Sequence, residues 1–132
     1  MENIKRMTQS SEDYLETIYN NTSQGQGVSI TLLSQKMKVA KASAHNAVDK
    51  LKEMGLVVQE AYGLVHLTDR GEAEGKKVSS KHKLLYKFLS SVLNVSHDTA
   101  EKDACAMEHA LSAETVQALT AFVNEYTTRN KD

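Results

Sequence analysis

Proline and tryptophan are both absent from this 132-residue chain. Without proline, helix ends must be read from caps and glycines. The only cysteine is Cys105. One cysteine excludes an internal disulfide and leaves a buried thiol, a metal ligand or a reactive thiol. No apolar run approaches the roughly 20 residues of a membrane span. The N-terminal MENIKRMTQS has no signal-peptide core, so a cytoplasmic protein without membrane contact is expected. There are no repeats and no low-complexity tracts. A glycine-rich phosphate loop, a His-Glu-x-x-His pattern and a spare acid–base pair are missing too, which gives an enzyme little support. Net charge is −1 at pH 7, with 40% hydrophobic and 25% charged residues, an ordinary composition for a globular chain. One stretch breaks that balance. Lys36, Lys38, Lys41, Lys50 and Lys52 are opposed only by Asp49, which suits either a nucleic-acid contact or a solvated helix face.

What is present is mostly helix. SSEDYLETIYNN places Tyr14, Leu15, Ile18 and Tyr19 on one face, with Ser10 or Ser11 as cap. SQGQG is a loop, and Ser29 can cap a short helix, ITLLSQKM. A third helix, KASAHNAVDKLKEM, spaces Ala44, Ala47, Val48 and Leu51 for burial and ends at Gly55. Its start at Ala40-Lys41 is poorly capped. LVVQ and LVHL then read as short strands paired around Ala61-Tyr62-Gly63. A long helix follows from Thr68 to about Leu93, roughly 40 Å at 1.5 Å per residue. Two more cover about 97–110 and 113–128, with Ser96 and Ser112 as caps. Helix, helix, helix, hairpin is the order of a winged helix-turn-helix, whose third helix enters the DNA major groove. The same order also serves protein-binding modules. In that third helix, Ala42, Ser43, His45, Asn46 and Lys50 lie opposite the buried face. Ser43 and Asn46 are expected at base edges, Lys41 and Lys50 at phosphates or bases, and Lys36 and Lys38 at phosphates.

Cys105, Glu108 and His109 share one face of a predicted helix, offering a sulfur, a carboxylate and an imidazole. That mixture suits a first-row divalent transition ion. Asp13 and Glu16 share a face of the first helix, but acids early in a helix also complement its dipole. His82 alone reads as a partly buried side chain, and Cys105 alone as a small hydrophobe. Glu108, between Met107 and Leu111, is harder to dismiss, because a charge near an apolar face needs a partner.

SEDYLETIY, VAKASAHNAVDKLKEMGLV, GLVHLTDRGE, KHKLLYKFL and, most specifically, ACAMEHALS occur in this order between Ser10 and Tyr126. With them the chain resembles the metal-dependent repressors of the diphtheria toxin repressor and manganese transport regulator family. The resemblance implies that Asp13, Glu16, His82, Cys105, Glu108 and His109 bind the activating metal. Cys105 resembles the iron-responsive branch, whereas Asp13 and Glu16 resemble the manganese branch. The ancillary site of diphtheria-type members uses a carboxylate where Tyr86 stands and a histidine where Glu101 stands, so it does not carry over. A short form without the SH3-like third domain of the longer members is expected, and the wing lacks arginine and lysine.

The resulting expectation is a mainly α chain. A winged helix-turn-helix DNA-binding domain spans 1–70, and an all-helical metal-binding and dimerisation domain spans 71–132. The expected function is an Fe2+- or Mn2+-activated transcriptional repressor controlling metal homeostasis. It would be a homodimer on double-stranded DNA with a palindromic operator, take no small organic substrate, and accept Co2+, Zn2+ or Ni2+ in vitro. A winged-helix regulator indifferent to metal is the alternative, with a metal carrier or metal-dependent hydrolase behind it. Leu84, Leu85, Phe88, Val92, Leu111, Val116, Leu119, Phe122 and Val123 exceed what a monomer of this size can cover and are expected to feed the dimer interface. Lys76, Lys77, Lys81, Lys83 and Lys87 should form its solvated face.

Overall fold

A computed structural model describes residues 7–22, 25–61 and 63–129. Tyr62 of the hairpin, Ser23 and Gln24 of the first loop, and the N-terminal Met1 to Arg6 lie outside the described residues. The elements run α1 (Gln9–Asn21), α2 (Ile30–Met37), α3 (Lys41–Glu53), β1 (Val57–Gln59), β2 (Val65–Leu67), α4 (Asp69–Lys87), α5 (His97–Met107) and α6 (Ala113–Arg129). A π-helical turn, Phe88–Val92, extends α4. No described helix is long and apolar enough to cross a membrane.

Two compact units, 1–79 and 80–132, divide the chain, and the break falls inside α4. In the first unit, α1, α2 and α3 enclose Leu15, Ile18, Leu33, Val48 and Leu51, all fully buried. Each such side chain contributes about 2 kcal/mol through its transfer from water. β1 and β2 pair antiparallel, Val57 opposite Leu67 and Gln59 opposite Val65. Val28, just before α2, bridges to Val65 on the other edge of β2, which anchors the wing to the helices. This is the winged helix-turn-helix.

Caps decide where the helices begin. Ser29 accepts a bond from the Leu32 N–H at 3.0 Å, and Ser112 accepts one from the Thr115 N–H at 3.2 Å, as their sequence positions suggest. Helix α1 differs from expectation. Its cap is Thr8, whose hydroxyl oxygen accepts the Ser11 N–H at 3.0 Å, and Ser11 is buried inside the helix. Ser96 occupies its cap position, but its hydroxyl oxygen accepts no backbone N–H in a cap bond, and the hydroxyl donates instead to the Thr99 hydroxyl at 3.1 Å. Ala40 caps α3 without any side-chain bond.

The first part of α4 packs on the winged helix through its glycines. Gly71 lies against the Leu56 carbonyl and Gly75 against Tyr19 of α1, while the Ser79 hydroxyl donates to Asn20 Oδ1 at 3.2 Å. A side chain at either glycine would hold the helix away.

In the second unit, Leu85, Leu89, Ala100 and Ala104 form a core that joins the end of α4 to α5. Phe88 meets Phe122 edge-on, with ring centroids 6.4 Å apart, and Phe122 stacks on Tyr126 at 6.1 Å. The apolar positions expected to feed a dimer therefore divide. Leu85 and Val123 are consumed inside the chain, whereas Phe122 is 48% exposed.

Candidate functional site

Residues 101, 105 and 108 are spaced i, i+4, i+7, so α5 turns Glu101, Cys105 and Glu108 to one side. The regular helix ends at Met107, short of the expected 110. Glu108 is its C-cap, with φ −60° and ψ −24°, and its N–H still donates to the Ala104 carbonyl at 3.0 Å. That retained helical turn keeps Glu108 in phase with Cys105 although His109 is already in the following turn.

Glu108 is completely buried. A carboxylate taken out of water needs strong partners. His82, from α4, places Nδ1 2.7 Å from Glu108 Oε1, and His109 places Nε2 3.6 Å from Oε2. Cys105 is half-buried, and its Sγ lies within 4.8 Å of a ring nitrogen of His109. The far edge of the His82 ring is also engaged, with Nε2 2.6 Å from Glu101 Oε1. One thiol, one buried carboxylate and two imidazoles thus gather in the second unit. Sequence reasoning had passed over Glu101 except as a departure from the family pattern. The other departure, Tyr86, places its hydroxyl 2.7 Å from His97 Nδ1.

Asp13 and Glu16 belong to the first unit, on α1, and both are half-buried. With Thr8 as the cap, the acid of the first turn is Glu12. Asp13 and Glu16 therefore lie beyond the first turn, where the helix dipole has little to offer a carboxylate. The dipole account of this pair weakens accordingly. Tyr14, beside them, is buried, and that burial raises its phenol above the ordinary value.

The polar face of α3 carries Lys41, Ala42, Ser43, His45, Asn46 and Lys50, all exposed, opposite the buried Ala44, Val48 and Leu51. Lys36 and Lys38, at the end of α2, are exposed as well. Between the start of α3 and the wing runs an open cleft of about 700 Å³, lined by Thr31, Lys41, His45, Gln59 and Glu60 among others. The wing has no lysine or arginine; its His66 pairs with Glu60.

Lys38 forms the turn between α2 and α3 in a left-handed conformation, φ 58° and ψ 47°. For a residue with a Cβ this conformation costs roughly 1–2 kcal/mol. Lys38→Gly is therefore expected to raise the stability of the chain by about 1 kcal/mol in urea unfolding. Lys38→Ala keeps the penalty and brings no such gain.

Comparison with known proteins supplies the context. A family model described as the N-terminal DNA binding domain of iron dependent repressors matches residues 6–65. Another, the iron dependent repressor metal binding and dimerisation domain, matches residues 68–131. An uncharacterized HTH-type transcriptional regulator of Methanocaldococcus jannaschii is 36% identical over 125 residues, covering 91% of this chain and 97% of that protein. The HTH-type transcriptional regulator MntR of Lysinibacillus sphaericus is 29% identical over 116 residues, covering 88% of this chain and 83% of its own. Among solved structures, a manganese-dependent transcriptional repressor in complex with manganese superposes with a TM-score of 0.77 at 31% identity. That match covers 86% of this chain but 52% of the solved one, so this chain spans about half its length.

Proposed function

The chain belongs to the iron-dependent repressor family, which is made up of transcriptional repressors and not enzymes, and from that premise we propose that it is a metal-activated, DNA-binding repressor of metal homeostasis. The observation that carries this reading is Glu108: a fully buried carboxylate held between His82 and His109, with Cys105 beside one of them. Such a donor set suits iron(II) or manganese(II), and it is poor for magnesium or calcium, which prefer all-oxygen sites.

Asp13, Glu16, His82, Cys105, Glu108 and His109 would hold the ion. Bound there, it would supply charge neutralisation and a fixed ligand geometry. The rest is the work of the chain. Asp13 and Glu16 share α1 with the buried Tyr14, Leu15 and Ile18, which pack against the recognition helix. Drawing these two acids into one ligand set with the four donors of the second unit would restrict the reading head. The reading head would take up residues 1–70, and 71–132 would bind metal and dimerise. In a two-fold dimer, restricted heads would fit a palindromic operator with half-sites in successive major grooves. The DNA contacts would come from Ser43 and Asn46 at base edges and Lys36, Lys38, Lys41 and Lys50 at or near phosphates. Ala42 and His45 share the same exposed face. The coupling requires only that the ion prefer the DNA-competent arrangement.

The test is operator affinity measured anaerobically with iron(II), cobalt(II), manganese(II) or chelator. Metal should tighten binding; equal affinity with chelator present would overturn the switch and leave a winged-helix regulator indifferent to metal. An Asn46→Ala, Lys50→Ala double variant should lose at least tenfold in operator affinity, since one bidentate base contact is worth about 1–3 kcal/mol. Lys38→Ala should lower the slope of log affinity against log salt by about 1 and leave the preferred sequence unchanged.

Cys105 would set the choice of metal. A thiolate favours iron(II), cobalt(II) and zinc(II) over manganese(II), which ranks lowest in the affinity order. Cys105→Glu should move activation toward manganese, and Cys105→Ala should weaken activation by cobalt(II) more than by manganese(II). Equal losses for both ions in Cys105→Ala would remove the thiol from the ligand set.

A further inference from the structure

His82 is held at both ends of its ring, and only one end faces the buried carboxylate. Nδ1 lies 2.7 Å from Glu108 Oε1, and Nε2 lies 2.6 Å from Glu101 Oε1. The two nitrogens of an imidazole face opposite edges of the ring, so the ring cannot turn both toward one ion. We propose that Glu101 is a positioning residue of the metal centre, whose carboxylate accepts the Nε2–H of His82 and so keeps Nδ1 as the nitrogen offered to the ion. This rests on the metal-site reading given above and extends it to a residue outside the ligand set.

The physical case has three parts. First, a metal-bound histidine is ordinarily fixed by a hydrogen bond from its other nitrogen, most often to a carboxylate, and that bond sets both the tautomer and the ring angle. Glu101 supplies this bond, whereas Glu108 on the other edge is itself a donor for the ion. Second, the spacing places Glu101 one helical turn before Cys105 on α5, so a single helix carries a ligand and the residue that orients the ligand of a neighbouring helix. Third, the side chain of Glu101 is 46% exposed while that of His82 is 19% exposed. An ion pair that open adds little to stability. A purely structural tie between α4 and α5 is therefore a poor account of so short a contact, and orientation of the ring is a better one.

The experiment uses the full chain, with two readouts that do not involve DNA. The first is the 15N shift of His82 without added metal. In the parent, Nε2 should resonate as a protonated nitrogen. In Glu101→Ala, Nδ1 should hold a proton toward Glu108 while Nε2, without its acceptor, should shift to the unprotonated range. The second is cobalt(II) and manganese(II) affinity by direct titration. Glu101→Ala should lose 10- to 100-fold, the usual cost of deleting an orienting partner, with a melting temperature close to that of the parent. Glu101→Gln retains an acceptor oxygen of the same reach, so it should keep Nε2 protonated and restore most of the affinity. Glu108→Ala is measured alongside. If Glu108→Ala abolishes binding while Glu101→Ala binds within twofold of the parent, the positioning role is wrong and the metal site stands. If neither variant changes metal affinity, the metal-site reading falls and takes the positioning role with it. A His82 nitrogen spectrum unchanged in Glu101→Ala would also overturn the proposal.

Discussion

Replacing Glu108 with alanine is expected to abolish metal-stimulated operator binding while leaving the chain folded. Glu108 is the one fully buried acid among the described residues, and its oxygens face His82 at 2.7 Å and His109 at 3.6 Å. If it were a structural residue, removing it would destabilise the second unit and affect DNA binding with and without metal alike. If it is a ligand, the loss falls on the metal-dependent part alone. The local energetics favour that separation. Alanine takes away a charge that is costly to bury, and this relief partly offsets the lost packing and the lost bonds to the two imidazoles. A net loss of stability is still expected, up to the roughly 3–5 kcal/mol of removing one partner of a buried pair, so the operator titrations are run well below the variant's melting temperature. Metal affinity should fall by on the order of 100-fold or more, since deleting even an orienting partner costs 10–100-fold. His109→Ala should behave in the same way. Thermal unfolding and operator titrations with manganese(II), cobalt(II) and chelator would check both halves. A variant that keeps its metal response removes Glu108 from the ligand set.

Gly71→Ala should be the most damaging single methyl in the winged helix. On helix propensity alone the change would stabilise, because alanine exceeds glycine by about 1 kcal/mol in a helix interior. The contact reverses the sign. A Cβ at this position would stand 1.9 Å from the Leu56 carbonyl oxygen, and that obstacle is backbone, which cannot rotate away as a side chain can. Either α4 or the strand entry must shift. Overpacking of this kind costs about 1–3 kcal/mol, and contact with backbone puts this site at the upper end, so a net loss of about 2 kcal/mol is expected after the propensity gain. Gly75→Ala, which meets Tyr19 Cβ at 2.9 Å, should cost less, because a side chain can lean aside. Urea unfolding of the two variants checks the order. A Gly71→Ala chain as stable as the parent would show that α4 is not seated on the wing as described.

The glycine contact also shows where sequence reading ends. Ser29, Ser112 and Gly55 announce their elements because a cap acts on residues two or three positions away. The exposed and buried sides of α3 follow from a period of 3.6, and the hairpin from two short β-like runs around a turn. Long-range facts leave no such trace. Gly71 reads as a weak helix residue until the Leu56 carbonyl, 15 positions earlier, is seen above it. The pairing of His82 with Glu101 spans 19 positions. Helix α1 offers Thr8, Ser10 and Ser11 within four residues, all chemically fit to cap it, and apolar spacing does not choose among them. The true choice moves Asp13 and Glu16 beyond the first turn, away from the positive end of the helix. The π-helical turn at Phe88–Val92 is silent as well, since no glycine or proline in FLSSV marks it.

Lys38 sits where the backbone penalises any residue with a Cβ, and its charge points to solvent. The two demands on this position can be set against each other in a saturation library. Variants sorted only for resistance to heat should drift to glycine or asparagine, which occupy a left-handed turn cheaply. Variants sorted for repression of a reporter should hold a cation there and accept the strain. The frequency of lysine after each kind of sorting would then measure how much conformational comfort the turn gives up for a positive charge at this position.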